Sequence, residues 1–262
     1  MKAAAKRVLF ALAPRMMTAI MSSRARAQSQ RLLKQWGVSG INRRLLDEVG
    51  NIVLSGPFKG LKLTPATWNE HIGPYLLGTY EMELHPWWDF VLQQQYDLII
   101  DVGAKFGYYA LGLALKFPAA EIVAFDTDWW ARNVMREMVR ANGVNNVSIR
   151  GFCSPEWLKR HIRARTFIIS DCEGFEGRLF SAMNQRQLAP TTMLIELHEE
   201  LAPGVTAQIE SHFAETHSSS KIGSRSPSLP ADIRIASLTK EEIYRASNEI
   251  RPYQEWLFLR PL

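Results

Sequence analysis

The chain has 262 residues, 47% hydrophobic and 22% charged, which is long and apolar enough to bury one substantial α/β core. Its two cysteines, Cys153 and Cys172, exclude a disulfide framework and a thiolate zinc site, and they fit a reducing, cytoplasmic compartment. The net charge of +5 is unevenly placed: residues 1–46 carry ten Lys and Arg and no acid, which leaves the remainder at −5 and argues against a nucleic-acid-binding body.

Taken in chain order, residues 1–46 form a basic leader. Val8–Ala13 is too short to span a bilayer, and Pro14-Arg15 interrupts it. Its composition admits an organelle presequence, with Ala25-Arg26-Ala27 mimicking a cleavage site. It also admits peripheral membrane contact through Phe10, Leu12, Met16, Met17 and Ile20, or a plain basic helix on its own domain. Residues 47–96 read as an N-terminal extension: two short strands within 51–65, around Gly56-Pro57 and Gly60, then an aromatic, partly helical cap over 66–94.

Residues 97–262 form the main domain. Apolar runs at 97–102, 121–126, 147–152, 166–171 and 192–197 predict strands. Between and after them, 108–117, 129–142, 155–163, 177–188 and 205–216 predict helices. Such alternation means a parallel sheet covered on both faces. Residues 217–232 read as a polar loop or lid, 233–238 as a strand, 239–249 as a helix and 256–260 as a last, antiparallel edge strand. The expected fold class is therefore α/β and Rossmann-like, a mostly parallel seven-stranded sheet with an antiparallel C-terminal edge strand and a helical, aromatic N-terminal extension.

In such sheets ligands bind beyond the carboxyl ends of the strands. The first strand ends in Asp101-Val102-Gly103-Ala104-Lys105-Phe106-Gly107, and the second runs into Asp126, 23 residues after Gly103. A glycine loop followed at that distance by an acid suits a ribose held by both hydroxyls. Asp101 would repel a pyrophosphate, and no Gly-Lys-Ser/Thr follows the loop. An acid there suits the ammonium and sulfonium of S-adenosylmethionine. Gly103 would let the backbone approach the methionine end, and Asp101 would orient the loop or the ammonium. Asp126 would hold the ribose. Phe125 or Trp129 would lie near the adenine, with Cys153 or Ser154 at its edge, and Glu81 would reach the ammonium from the cap.

Residues two apart on a strand share a face, so Asp171 with Glu173 and Glu196 with His198 would converge on the active-site mouth. His198, with an ordinary pKa of ~6.5, or Asp171 would take a hydroxyl proton. A divalent cation such as magnesium or manganese on Asp171, Glu173, Glu196 and His198 is the second reading, ranked behind a side-chain base.

Four segments in order, Asp101-Val102-Gly103-Ala104-x-x-Gly107-Tyr108-Tyr109, Val123-Ala124-Phe125-Asp126, Asp171-Cys172-Glu173-Gly174-Phe175-Glu176 and Ile195-Glu196-Leu197-His198, resemble the FkbM-type methyltransferases. The resemblance covers residues 97–200 and is looser before them, where Gly56–Gly60 and Leu77–Glu81 are similar. It implies the class I S-adenosylmethionine-dependent fold, with Ala104, Gly107 and Tyr108 joining the cofactor site. It also implies O-methylation of a hydroxyl on a sugar, natural product or lipid-linked small molecule. Lys105 stands where the family usually has Asn, and Asp126-Thr127 where it has Glu-Pro. RNA or protein methylation is the first alternative, weakened because no Asn-Pro-Pro-Tyr type of motif follows the fourth strand. A non-catalytic cofactor-binding module is the second, weakened because the rim keeps its polar residues.

Overall fold

The computed structural model describes residues 31–69, 71–228 and 233–262. The presequence and membrane readings of the first 30 residues lie outside that range. Among the described residues no helix is long and apolar enough to cross a membrane.

Seven strands form one sheet: β1 Leu98–Val102, β2 Glu121–Phe125, β3 Val147–Arg150, β4 Thr166–Ser170, β5 Thr191–Leu197, β6 His217–Gly223 and β7 Glu255–Pro261. Their order is β3-β2-β1-β4-β5-β7-β6. The first five run parallel, and β7 is antiparallel to both β5 and β6. This is the strand order of the class I methyltransferase fold. Val102 of β1 ends level with Phe125 of β2 and Ser170 of β4. The loops after these three strands therefore leave the sheet side by side.

Two details differ from expectation. The antiparallel C-terminal strand lies one place in from the edge, because 217–223 is the outermost strand rather than part of a loop. Its Ser218-Ser219-Ser220-Lys221 run is polar because an edge strand faces water. Residues 233–238 form no strand: the N–H groups of Ala236 and Ser237 donate instead to the Glu48 carboxylate, at 2.6 and 2.8 Å.

The crossover helices are α4 Tyr108–Lys116, α5 Trp129–Asn142, α6 Pro155–His161, α7 Glu176–Ser181, α8 Gln185–Leu188 and α9 Val205–Phe213; α1 Val38–Val49, α2 Ile72–Leu77 and α3 His85–Val91 precede the sheet, and α10 Lys240–Ser247 precedes β7. The single helix expected over 177–188 is split, because Asn184 caps α8 by accepting from the N–H of Arg186. Alternate strand residues serve two cores. Ile99, Ile122 and Phe167 face the N-terminal extension, whereas Ile100, Val123 and Ile168 face α6, α7 and α9.

The extension is joined closely to the sheet. The helix α1 runs across residue 46, buries Val38, Ile41 and Leu45, and packs on α2 and α10, so the described end of the leader is part of the body. The two strands expected within 51–65 shrink to one antiparallel bridge, Ile52 to Lys62. Phe58, Tyr75, Tyr80 and Trp88 form an aromatic cluster with Tyr108 and Tyr109 of α4, at centroid distances of 4.1 to 6.0 Å. Each ring buried this way contributes on the order of 1.5–3 kcal/mol, which fixes the cap over the loop that opens α4.

Candidate active site

The loop after β1 is held from both sides. Gly103 and Ala104 donate to the carbonyl of Phe125 at 2.8 and 2.9 Å, and Gly107 donates to the carbonyl of Ala104 at 2.7 Å. Gly103 has φ +88°, and a Cβ there would lie 1.6 Å from the carbonyl oxygen of Asp171. Only glycine lets the β1 and β4 loops meet so closely. Gly107, also at φ +88°, starts α4 against Leu111 and Met135. Lys105 has φ +49°, and its N–H donates to Asp126 Oδ2 at 2.7 Å.

Asp126 is thus oriented across the glycine loop. Its other oxygen accepts from the N–H of Asp128, also at 2.7 Å. Burial raises its pKa to about 6 against the pull of these two bonds. Trp129 is 68% exposed at the start of α5, and Phe125 is buried against Trp157. Cys153 belongs to the core, and the Ser154 hydroxyl accepts from the N–H of Trp157 to cap α6. Ser154 itself is half-buried. Phe152, just after β3, is exposed beside Phe175. The Tyr108 ring lies in the aromatic cluster.

Asp101 is buried and accepts from the N–H of Ala110 at 3.0 Å. Burial, with the nearby Asp171 and Asp126, raises its pKa to about 8. A folded-state value above that of the unfolded chain means ionisation opposes folding, increasingly so as pH rises from the ordinary aspartate range to 8. Asp101→Asn keeps an acceptor for Ala110. We expect it to raise the Tm of the free protein at pH 7 by roughly 2–8 °C, equivalent to about 1–2 kcal/mol, while weakening binding of a cationic cofactor. Thermal melts with and without S-adenosylhomocysteine check both halves.

Glu81 is buried at φ +47°, with Tyr109 donating to its Oε2 and Arg251 3.2 Å from its Oε1. Burial raises it to about 8, although Arg251 pulls the other way. Arg251, which the sequence gives no reason to notice, also contacts Glu83 at 2.6 Å, Glu249 at 2.9 Å and Glu196 at 3.9 Å. A pocket of ≈ 200 Å³ is lined by Ser224, Arg225, Glu249, Arg251 and Tyr253.

The structure brings together the three residues expected to carry the chemistry. His198 Nε2 lies 3.5 Å from Asp171, 3.8 Å from Glu173 and 4.0 Å from Glu196. His198 Nδ1 lies 2.8 Å from Glu176, a residue 0% exposed that also accepts from the N–H groups of Cys172 and Gly174. Glu176 therefore fixes the imidazole with its proton on Nδ1 and Nε2 toward the mouth. Burial disfavours the imidazolium, but Glu176, Asp171 and Glu173 outweigh it and raise His198 to about 9. His198 therefore keeps its proton to higher pH than the ordinary histidine that the sequence suggests. Burial, then Asp171 and Glu81, push Glu196 up to about 12.

No protein-family model matches this chain, and no curated protein matches it in sequence. Solved structures resemble it at low identity. A provisionally named O-methyltransferase from Klebsiella pneumoniae is 14% identical, covering 88% of this chain and 99% of that one, with a TM-score of 0.48. An rRNA methylase from Streptococcus thermophilus is 13% identical over 68% of this chain and 96% of its own, TM-score 0.47. A precorrin-6y C5,15-methyltransferase from Geobacter metallireducens is 14% identical over 64% and 84%, TM-score 0.45.

Proposed function

We propose that this chain is an S-adenosylmethionine-dependent methyltransferase that acts on a hydroxyl group of a sugar, natural product or lipid-linked small molecule. One observation carries this reading: the glycine loop, the Asp126 carboxylate locked across it, and the Asp171–Glu196–His198 cluster meet at the carboxyl ends of β1, β2, β4 and β5. The cofactor's ribose would lie on Asp126 and its methionine end over Gly103, between Asp101 and the cap residue Glu81. Its methyl group would then face the cluster, where the acceptor hydroxyl loses its proton. Methyl transfer is an in-line displacement, and holding both reactants in line contributes about 7–11 kcal/mol.

Formation of S-adenosylhomocysteine from S-adenosylmethionine, scanned over polyols, sugars and phenols beside RNA and peptides, tests the acceptor class. Turnover confined to hydroxylated small molecules supports the reading, and turnover on RNA alone contradicts it. The same assignment predicts a pH dependence for cofactor binding. Asp126 must be ionised to accept two ribose hydroxyls, and Asp101 must be ionised to balance the ammonium. With values of about 6 and about 8, affinity for S-adenosylhomocysteine should climb from pH 5 to pH 8, by up to about tenfold per unit for each group. Calorimetric titrations across that range check it; a flat or falling profile would remove these two acids from the site.

A further inference from the structure

Asp171 and Glu196 hydrogen-bond each other at the mouth, but the His198 Nε2 beside them has no direct hydrogen bond. One ligand atom each from Asp171, Glu196 and His198 lies within 4.8 Å of the other two. His198 Nε2 is 3.5 to 4.0 Å from three carboxylates, at or beyond the limit of a hydrogen bond to any of them. In an octahedron with bonds of about 2.1 Å, adjacent ligands are about 3.0 Å apart and opposite ones about 4.2 Å. The separations seen here largely fall between these two lengths.

Two further features point to a cation. Glu196 is 1% exposed; apart from the hydrogen bond that Asp171 and Glu196 share, neither Glu196 Oε1 nor Asp171 Oδ1 has a hydrogen-bond partner among the other described residues. The Arg251 guanidinium stands 3.9 Å from Glu196 Oε1, too far to donate. Two buried acids with only each other for a partner can ionise together only when a cation replaces their shared proton. The second feature is Glu176. A carboxylate on Nδ1 is the usual outer partner of a metal-binding imidazole, since it sets the tautomer and aims the Nε2 lone pair. Here Glu176 does so from a fully buried position, 2.8 Å away.

We propose that Asp171, Glu196 and His198 form a divalent-cation site, of the magnesium or manganese class, on which the acceptor is held by two neighbouring oxygens. This rests on the methyltransferase reading for its acceptor chemistry, though not for the ion. Two carboxylates and one imidazole suit an oxygen-preferring cation that tolerates nitrogen, which favours manganese as the probe. Three protein ligands leave about three positions of an octahedron open toward the mouth. A vicinal diol or an α-hydroxy carbonyl fills two of them, which narrows the acceptor to compounds with paired oxygens. The cation makes the O–H more acidic. Its proton passes to the carboxylate of Glu173, which is 80% exposed beside Nε2. The oxygen's freed electron pair then bonds to the sulfonium methyl carbon, and the C–S pair stays on sulfur as a thioether.

The test is a titration of the full-length protein with manganese chloride, following the free-ion signal by electron paramagnetic resonance. Wild type should take up one manganese per chain and release it to excess magnesium. Glu196→Gln and His198→Ala should each weaken uptake more than tenfold. Glu173→Gln, on an exposed side chain, should fold normally and lower turnover while retaining the ion. Asp126→Ala should also retain manganese while losing S-adenosylhomocysteine. If wild type binds S-adenosylhomocysteine but no manganese, or if Glu196→Gln binds it unchanged, the cation site is wrong and the methyltransferase reading stands. Manganese uptake without any binding of S-adenosylhomocysteine would support the site and overturn the reading beneath the acceptor chemistry.

Discussion

Gly103→Ala should lower the Tm by roughly 4–20 °C and abolish binding of S-adenosylhomocysteine. Two costs combine. An L-residue at φ +88° loses about 1–2 kcal/mol. The new methyl group would also sit 1.6 Å from the Asp171 carbonyl oxygen, a backbone atom that cannot swing away as a side chain would. Relieving that contact by moving the loops apart costs a further ~1–3 kcal/mol. At ~2–4 °C per kcal/mol for a domain of this size, the loss is measurable by calorimetry. The control is Gly143→Ala, where φ is +64° and no atom lies within 4 Å of the added carbon. That variant should lose only about 1 kcal/mol and bind cofactor normally. Equal losses at the two positions would mean that the close approach of the β1 and β4 loops does not shape the site.

Glu176→Gln should keep the fold and lose most of the activity. The amide oxygen can still accept from the N–H groups of Cys172 and Gly174, so the turn into α7 survives. The charge that holds the imidazole is gone, however. A partner of this kind is worth about 10–100-fold in activity or metal affinity. A purely structural glutamate would leave His198 unaffected, so the deciding readout is its titration by NMR. Glu176 supplies the largest raising contributions to that imidazole, so its value should fall from about 9 toward the ordinary histidine range. An unchanged His198 titration would remove Glu176 from the role given to it here.

The elements that were legible in the sequence had strong local signals. Strands β1, β2, β4 and β5 are short apolar runs followed by polar residues, which is what a buried parallel strand reaching a ligand rim must be. The helix α5 was expected at 129–142 and runs from Trp129 to Asn142, because Asp128 caps it and Gly143 ends it in the left-handed region. The β6 strand was illegible for the opposite reason: three successive serines on an edge strand read like a loop. In the site, Asp126, Asp171, Glu196 and His198 followed from their places at strand ends. Glu176 did not, since an acid in the first turn of a helix ordinarily reads as a capping charge. Nor did the Arg251 hub, whose partners Glu81 and Glu83 lie 170 and 168 residues away in the chain. The ring contacts of Tyr108 were not legible either, because a motif position fixes where the backbone goes, while the ring follows the aromatic neighbours supplied by the extension.

The central claim is an adenosylmethionine site built on the glycine loop and Asp126. Isothermal titration of S-adenosylhomocysteine and of NAD into wild type and Asp126→Ala tests it most directly. Two charge-assisted hydrogen bonds to the ribose, at about 1.5–3 kcal/mol each, predict one site per chain for S-adenosylhomocysteine and a loss of at least ~100-fold in the variant. Binding of NAD in place of S-adenosylhomocysteine, or equal affinity in wild type and Asp126→Ala, would contradict it.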